Sequence, residues 1–196
     1  MRKKEAIEKV FTASLKVFAE YGYKKATVEE IAAELGMTKG NLYLYVKNKK
    51  DLYHRTVSHA MLQWQGMVRS RVEKEQNAEN MFLVMCEKAV EYLSRHDELR
   101  RLLIRDPDIF PMFAKVDPYH EINRASVEMI KRILEAGIRE GRFREVDTER
   151  VSEVIFSIYK MFIIRMYIKE ENQSVYQLFE DTVDLITTGL FIREHC

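Results

Sequence analysis

Between Thr27 and Leu52 the sequence gathers hydroxyls, amides and amines at spacings that suit contact with a polyanion rather than bond-making chemistry. Thr38 opens a short helical stretch. It supplies a hydroxyl and free backbone N–H groups at the positive end of the helix dipole, an arrangement that binds phosphate. Lys39 and Asn41 carry donors for base edges in a DNA major groove, Lys toward guanine acceptors and Asn toward adenine. Gly40 has no side chain, so the backbone can approach closely. Tyr43 and Tyr45 offer rings that pack inward and hydroxyls that reach backbone oxygens. Lys47, Lys49 and Lys50 add phosphate neutralisation at the start of the next helix.

The charge pattern agrees. Residues 1–56 hold 12 Lys and Arg against 7 Asp and Glu, a local net of +5 in a chain whose total is +1, so the rest carries −4. A basic head on a mildly acidic body suits a partner that is a polyanion. Catalysis finds no foothold. The five His, at 54, 59, 96, 120 and 195, show no paired ligand spacing, and there is no glycine-rich phosphate loop, nucleophile elbow or HExxH. Glu87, Glu91 and His96 read as a solvated helix face. Cys86 and Cys196 make neither a metal site nor a disulfide framework. No enzyme activity, metal or cofactor is therefore expected. The apolar run Val154 to Ile168 is interrupted by Lys160 and Arg165 and is too short for a bilayer. The N-terminus lacks the apolar stretch of a signal peptide. These features predict a reduced, cytoplasmic protein without membrane contact.

The elements that must position these residues are helices. With 196 residues, only 7 Gly and 3 Pro, and many strong helix formers, the chain predicts an all-α protein of about nine helices. Ile7, Val10, Phe11, Ser14, Val17, Phe18 and Tyr21 share one face of a first helix, about 4–21, which Gly22 ends. Thr27 and Glu30 form a capping box for a short second helix that buries Val28, Ile31, Ala32 and Leu35. Gly36 closes it, and Thr38 caps a third, through about Tyr45. Asn48 caps a long fourth helix to about Lys74, with Leu52, Thr56, Ala60, Trp64 and Met67 inward. Further helices follow over about 77–94, from Asp97 to Pro107, from Asp117-Pro118 to Gly141, over 147–169 and over 174–191. Asp108 to Val116 reads as a loop, and Ser174 to Gln177 as a second capping box.

A capped helix, a glycine-containing turn and a second short helix make a helix-turn-helix. The run Thr27-Val-Glu-Glu-Ile-Ala-Ala-Glu-Leu-Gly-Met-Thr-Lys-Gly-Asn-Leu-Tyr-Leu-Tyr-Val-Lys-Asn-Lys-Lys-Asp-Leu52 resembles the signature of the TetR family of repressors, and Val17 to Tyr23 resembles that family's end of the first helix. Leu44 and Val46 stand where the family often has aromatics. The resemblance covers about a quarter of the chain. It implies a homodimer on an operator with two-fold symmetry, released when a small molecule enters the C-terminal domain. Thr27, Thr38, Tyr43, Tyr45 and Lys49 would be phosphate contacts, and Lys39, Gly40 and Asn41 base-proximal. The domains would be a DNA-binding domain, 1–48, and a ligand-binding and dimerisation domain, 49–196, joined by the helix 49–74.

In the second domain the aromatic and Met residues read, on composition alone, as core. The resemblance implies a pocket between helices, with Trp64, Met67, Met85, Cys86, Met129, Phe156 and Tyr159 as the residues proposed to line it. Few charges among these inner positions point to a largely apolar inducer. Helix 147–169 is apolar nearly all round, and helix 174–191 offers Val175, Phe179, Thr182, Ile186 and Leu190. The two together suit a four-helix homodimer interface. A helical interaction or adaptor domain that has lost DNA binding is the second class of reading. Salt-dependent binding to duplex DNA separates the two.

Overall fold

A computed structural model describes residues 2–112, 117–169 and 174–192; the side chains of residues 2–4 and 174 are not described. The described chain is helical: α1 (Arg2–Lys25), α2 (Val28–Glu34), α3 (Lys39–Leu42), α4 (Lys49–Val72), α5 (Ala78–Arg95), α6 (Asp97–Arg105), α7 (His120–Arg139), α8 (Thr148–Ile163) and α9 (Ser174–Leu190). A single 3₁₀ turn (Pro107–Ile109) follows α6, and a π turn (Ile164–Ile168) extends α8. Among the described residues the only extended pairing is an antiparallel bridge between Phe143 and Phe191, and no helix is long and apolar enough to cross a membrane.

The local signals act where the spacing placed them. Gly22 leaves helical geometry at φ 74°, ψ 165° inside α1, a conformation that glycine adopts without steric cost. Asn48 Oδ1 accepts from Asp51 N at 2.9 Å, Asn77 Oδ1 from Asn80 N at 2.9 Å, and Asp147 Oδ1 from Arg150 N at 3.0 Å. Each satisfies a backbone donor that the first turn of a helix leaves free. The second capping box rests on Ser174, whose side chain lies outside the described residues. Tyr21 corrects the inner face of α1. It is 47% exposed, because the break at Gly22 ends the stripe one turn earlier.

The chain forms two compact units: residues 1–63 with 93–109, and residues 64–92 with 110–196. Helix α4 contributes to both, changing unit after Gln63. In the first unit α6 packs along α1. Val10, Val17, Phe18 and Ala19 of α1 are buried, as are Leu99, Leu102 and Leu103 of α6. The Arg105 Nε donates to Ala19 O at 2.8 Å, and the Tyr53 hydroxyl donates to Asp106. Phe18 meets Tyr53 edge-on at 5.0 Å, a favoured aromatic geometry.

In the second unit α7 packs on α8, and the chain beyond α7 folds back on its end. Arg142 N and Phe143 N both donate to Gly137 O, at 2.9 and 3.0 Å, beyond which Gly141 turns at φ 70°. Phe143 stacks on Phe191 at 4.7 Å. A Cβ on Gly137 would sit 2.1 Å from the Phe143 ring, so only glycine fits there. Part of the α9 face expected to meet a second subunit is used inside this unit. Val175 and Leu190 are buried, and Phe179 packs edge-on against Phe162 at 5.2 Å. The exposed large apolar residues of α8 and α9 are instead Val154, Tyr176, Leu178 and Leu185.

Candidate nucleic-acid interface and the aromatic cluster

Helices α2 and α3 form the helix-turn-helix. Thr27 Oγ1 accepts from Glu30 N at 3.1 Å, while Glu30 Oε2 accepts from Thr27 N at 2.7 Å. This reciprocal box secures the start of α2 and contributes about 1 kcal/mol. The helix then buries Val28, Ile31 and Ala32, while Leu35 stays half-buried at its end. Gly36 turns at φ 64°, and Met37 N returns to Ala32 O at 2.9 Å. Thr38 caps α3, accepting from Asn41 N at 3.2 Å. Leu42 and Val46 anchor the recognition segment inward, both buried.

The anchoring leaves Thr38, Lys39, Gly40 and Asn41 together on an exposed surface. Gly40 has only Thr38 Oγ1 near the place a Cβ would take, at 3.8 Å. The opening of this segment is therefore low in relief as well as polar. Lys39 Nζ pairs with Glu29 Oε1 at 2.6 Å. That hydrogen bond raises the Lys39 pKa above its ordinary value and lowers that of Glu29. Both side chains are solvated, so the pair is weak and screened by salt, and Lys39 can exchange Glu29 for another acceptor.

The expected phosphate contacts fall into two groups. Thr27 and Thr38 are exposed caps whose hydroxyls also serve the helix starts. Tyr43 was expected to pack inward and is instead 39% exposed: α3 ends at Leu42 and the chain turns through Tyr45, which carries the Tyr43 ring outward. Tyr45 is half-buried, and its carbonyl accepts from Arg55 Nη1 at 2.7 Å. Lys49 Nζ sits 4.8 Å from the centre of the Tyr23 ring and donates to Lys24 O at 3.3 Å. The ring and the carbonyl hold its charge in a defined place. Leu44, 80% exposed, is a large apolar side chain beside these polar ones, and apolar groups of this kind contact thymine methyls.

In the second unit the structure gathers three of the expected pocket residues. Trp64 Nε1 and the Tyr159 hydroxyl both donate to Ala89 O, at 3.0 and 3.2 Å. The Trp64 and Tyr159 ring centres are 6.3 Å apart, and Phe156 lies 6.2 Å from Tyr159. Burial pushes the Tyr159 hydroxyl well above its ordinary pKa, with Tyr167 and the Cys86 thiol adding to the shift. Burial also holds the Cys86 thiol up at about 12, so it is not a thiolate nucleophile. Met85 is buried and Met67 and Met129 half-buried, positions for which packing is sufficient account.

Three members of the cluster were missed. Tyr92 stacks on Trp64 at 5.7 Å and 11°. Phe110 lies 6.2 Å from Trp64. Lys160 Nζ donates to Pro111 O at 3.1 Å over the rings of Phe110 and Phe156, at 5.2 and 5.5 Å. Only Lys160 left a signal in the sequence: a lone cation in an apolar stretch, which needs partners of its own.

A helix-turn-helix with its recognition segment exposed and polar defines a class, the DNA-binding transcriptional regulators. Residues 10–56 match the model of the bacterial regulatory proteins of the tetR family. The chain is 22% identical over 193 residues to the fatty acid metabolism regulator protein of Bacillus subtilis, covering 96% of this chain and 97% of that one. Its fold matches the B. subtilis regulator FadR in complex with stearoyl-CoA, with a TM-score of 0.76, 20% identity and 93% and 98% of the two chains covered. It also matches a TetR transcription regulator from Haloarcula marismortui, with a TM-score of 0.81, 19% identity and 96% and 100% covered. The family model and the relatives that the chain resembles are those of transcriptional regulators, not of enzymes.

Proposed function

We propose that the chain is a homodimeric repressor that occupies a palindromic operator and leaves it when a small, largely apolar ligand binds. The observation that carries this reading is the exposed patch of Thr38, Lys39, Gly40 and Asn41, projected by a helix whose other side is fixed by buried Leu42. In this reading residues 1–48 bind DNA, and residues 49–196 bind the ligand and dimerise. Thr27, Thr38, Tyr43, Tyr45 and Lys49 hold phosphates and set the register. Lys39 and Asn41 read bases, and Gly40 permits the approach. Its place of action, on the chromosome, would be the cytoplasm.

Helices α8 and α9 form the dimer contact in this account, through the exposed Val154, Leu178 and Leu185 and not through Val175 and Leu190, which are buried within their own unit. Exposed apolar residues collected on two neighbouring helices suit a subunit interface. The ligand reading is supported by the ring cluster of Trp64, Phe156 and Tyr159. Cys86 lies beside it, and Met67, Met85 and Met129 supply adaptable walls. The likeness of the chain to a regulator in complex with stearoyl-CoA supports an apolar ligand.

A salt titration on duplex DNA, with sedimentation of the same samples, tests the proposal. Log affinity should fall linearly with log salt, with two chains on each specific duplex. A monomer at micromolar concentration, or no binding to duplex DNA even at low salt, would contradict it.

A further inference from the structure

Lys160 is a half-buried ammonium, and among the described residues only one of its donors has a hydrogen-bond acceptor. An ammonium has three N–H donors. One is taken by Pro111 O at 3.1 Å, and the Phe110 and Phe156 rings lie 5.2 and 5.5 Å away. None of these carries a full negative charge. Asp117 and Glu153 are the carboxylates felt by Lys160, and neither forms an ion pair with it among the described residues. Asp117 is already committed, its two oxygens accepting from Tyr119 N at 2.8 Å and from Asn123 Nδ2 at 2.7 Å. Desolvation lowers the Lys160 pKa, more than these two acids raise it. A cation removed from water without a counter-ion is costly, and an oxyanion bound there would relieve that cost with a charge-assisted hydrogen bond.

The neighbours of Lys160 define what such an oxyanion would be attached to. Phe156 leads to Tyr159, Tyr159 to Trp64, and Trp64 to Tyr92, each pair with ring centres 5.7 to 6.3 Å apart. The donors of Trp64 and Tyr159 are both spent on Ala89 O, so these rings offer apolar faces and edges more than hydrogen bonds. A cation at one end of a run of aromatic surface matches an amphiphile.

We infer that Lys160 anchors the oxyanion of an amphiphilic effector whose apolar chain lies against Trp64, Phe156 and Tyr159. This inference rests on the ligand-responsive reading above and narrows it from an apolar molecule to one with an anionic group at a set place. That group is the carboxylate of a free fatty acid or a phosphate of an acyl-CoA.

Trp64 is the one tryptophan of the chain, so its fluorescence reports occupancy of the cluster without reference to DNA. The intact protein would be titrated with saturated carboxylates from octanoate to stearate, with the matching alcohols, and with the matching CoA thioesters. Below their micelle concentrations, at least one anionic series should bind roughly tenfold or more tightly than the alcohols, the effect of one charge-assisted hydrogen bond. Lys160→Gln should remove that preference and leave alcohol binding unchanged, while Lys160→Arg should keep most of it. The series that loses affinity in Lys160→Gln identifies the source of the oxyanion. If alcohols bind as tightly as both anionic series in the wild-type chain, the inference fails while the ligand-responsive reading stands, and that comparison requires no variant. An anionic preference that survives in a folded Lys160→Gln chain also overturns it. If no compound of any series alters Trp64 fluorescence, the ligand reading falls, and the inference with it.

Discussion

The helix-turn-helix and the aromatic cluster solve their positioning problems on different scales. In the first, the helix caps are set by neighbours three positions away: Thr27 by Glu30, Thr38 by Asn41, Asn48 by Asp51. In the second, contacts join residues far apart in the chain: Trp64 to Ala89, Tyr159 to Ala89, Lys160 to Pro111. Caps and turns are local chemistry, and they yield the same shape wherever their spacing occurs. A cluster of rings depends on which helix faces come together, and packing tolerates many arrangements of similar volume. A surface set by caps and turns can thus be constant in form while an interior set by ring packing varies.

This contrast can be broken most severely at Gly137. Gly137→Ala drives a methyl into the Phe143 ring and should lower stability by about 3 kcal/mol, measured by urea denaturation. The fraction that remains folded should keep its DNA affinity. A loss below about 0.5 kcal/mol would show that the Phe143–Phe191 stack is free to move, and that this packing is less exacting than described.

The next effect is confined to single base pairs. Asn41→Ala should cost about tenfold at one adenine-containing pair, read on a panel of singly substituted operators, and Lys39→Ala should flatten the preference at a different pair. A uniform loss across the panel would assign these side chains to phosphate instead. Smaller and sequence-independent is the effect of Lys49→Ala. It should reduce the slope of log affinity against log salt by about one, and an unchanged slope would leave Lys49 a packing partner of Tyr23 only.

The smallest effect concerns pH. His59 Nε2 is buried with no hydrogen bond among the described residues, and its ring lies 5.3 Å from Phe11. Desolvation lowers its pKa from the ordinary 6.5 more than Glu8 raises it. The unfolded chain therefore takes up the proton first as pH falls through 6.5, and stability declines below that value. His59→Phe should make the melting temperature less sensitive to acid between pH 7.5 and 5.5. Equal acid sensitivity in the two proteins would mean that His59 is protonated without cost.

How much could be read from the sequence follows the same contrast. The succession of helices, the capping box at Thr27 and the exposed polar opening of α3 were all legible, because capping residues and the 3.6-residue period are written in adjacent positions. Tyr43 was misjudged because the end of α3 at Leu42 depends on the turn that follows. Tyr92 and Phe110 were invisible as partners of Trp64, since nothing in their own spacing records a neighbour across the bundle. Val175 and Leu190 of the α9 face are covered by their own chain, and apolar period alone does not say whether such residues are covered by their own chain or by another. Lys160 lies between these cases: its oddity was plain in an apolar stretch, but the carbonyl and rings around it were not.

The central claim, a sequence-specific dimer, is tested most directly by selecting bound sequences from a random duplex library with the purified chain at moderate salt. The account predicts enrichment of one inverted repeat whose half-sites lie about one or more whole helical turns apart, so that both copies of α3 meet the major groove. Recovery of sequences with no shared motif, from protein shown to be folded and free of bound small molecules, would contradict it.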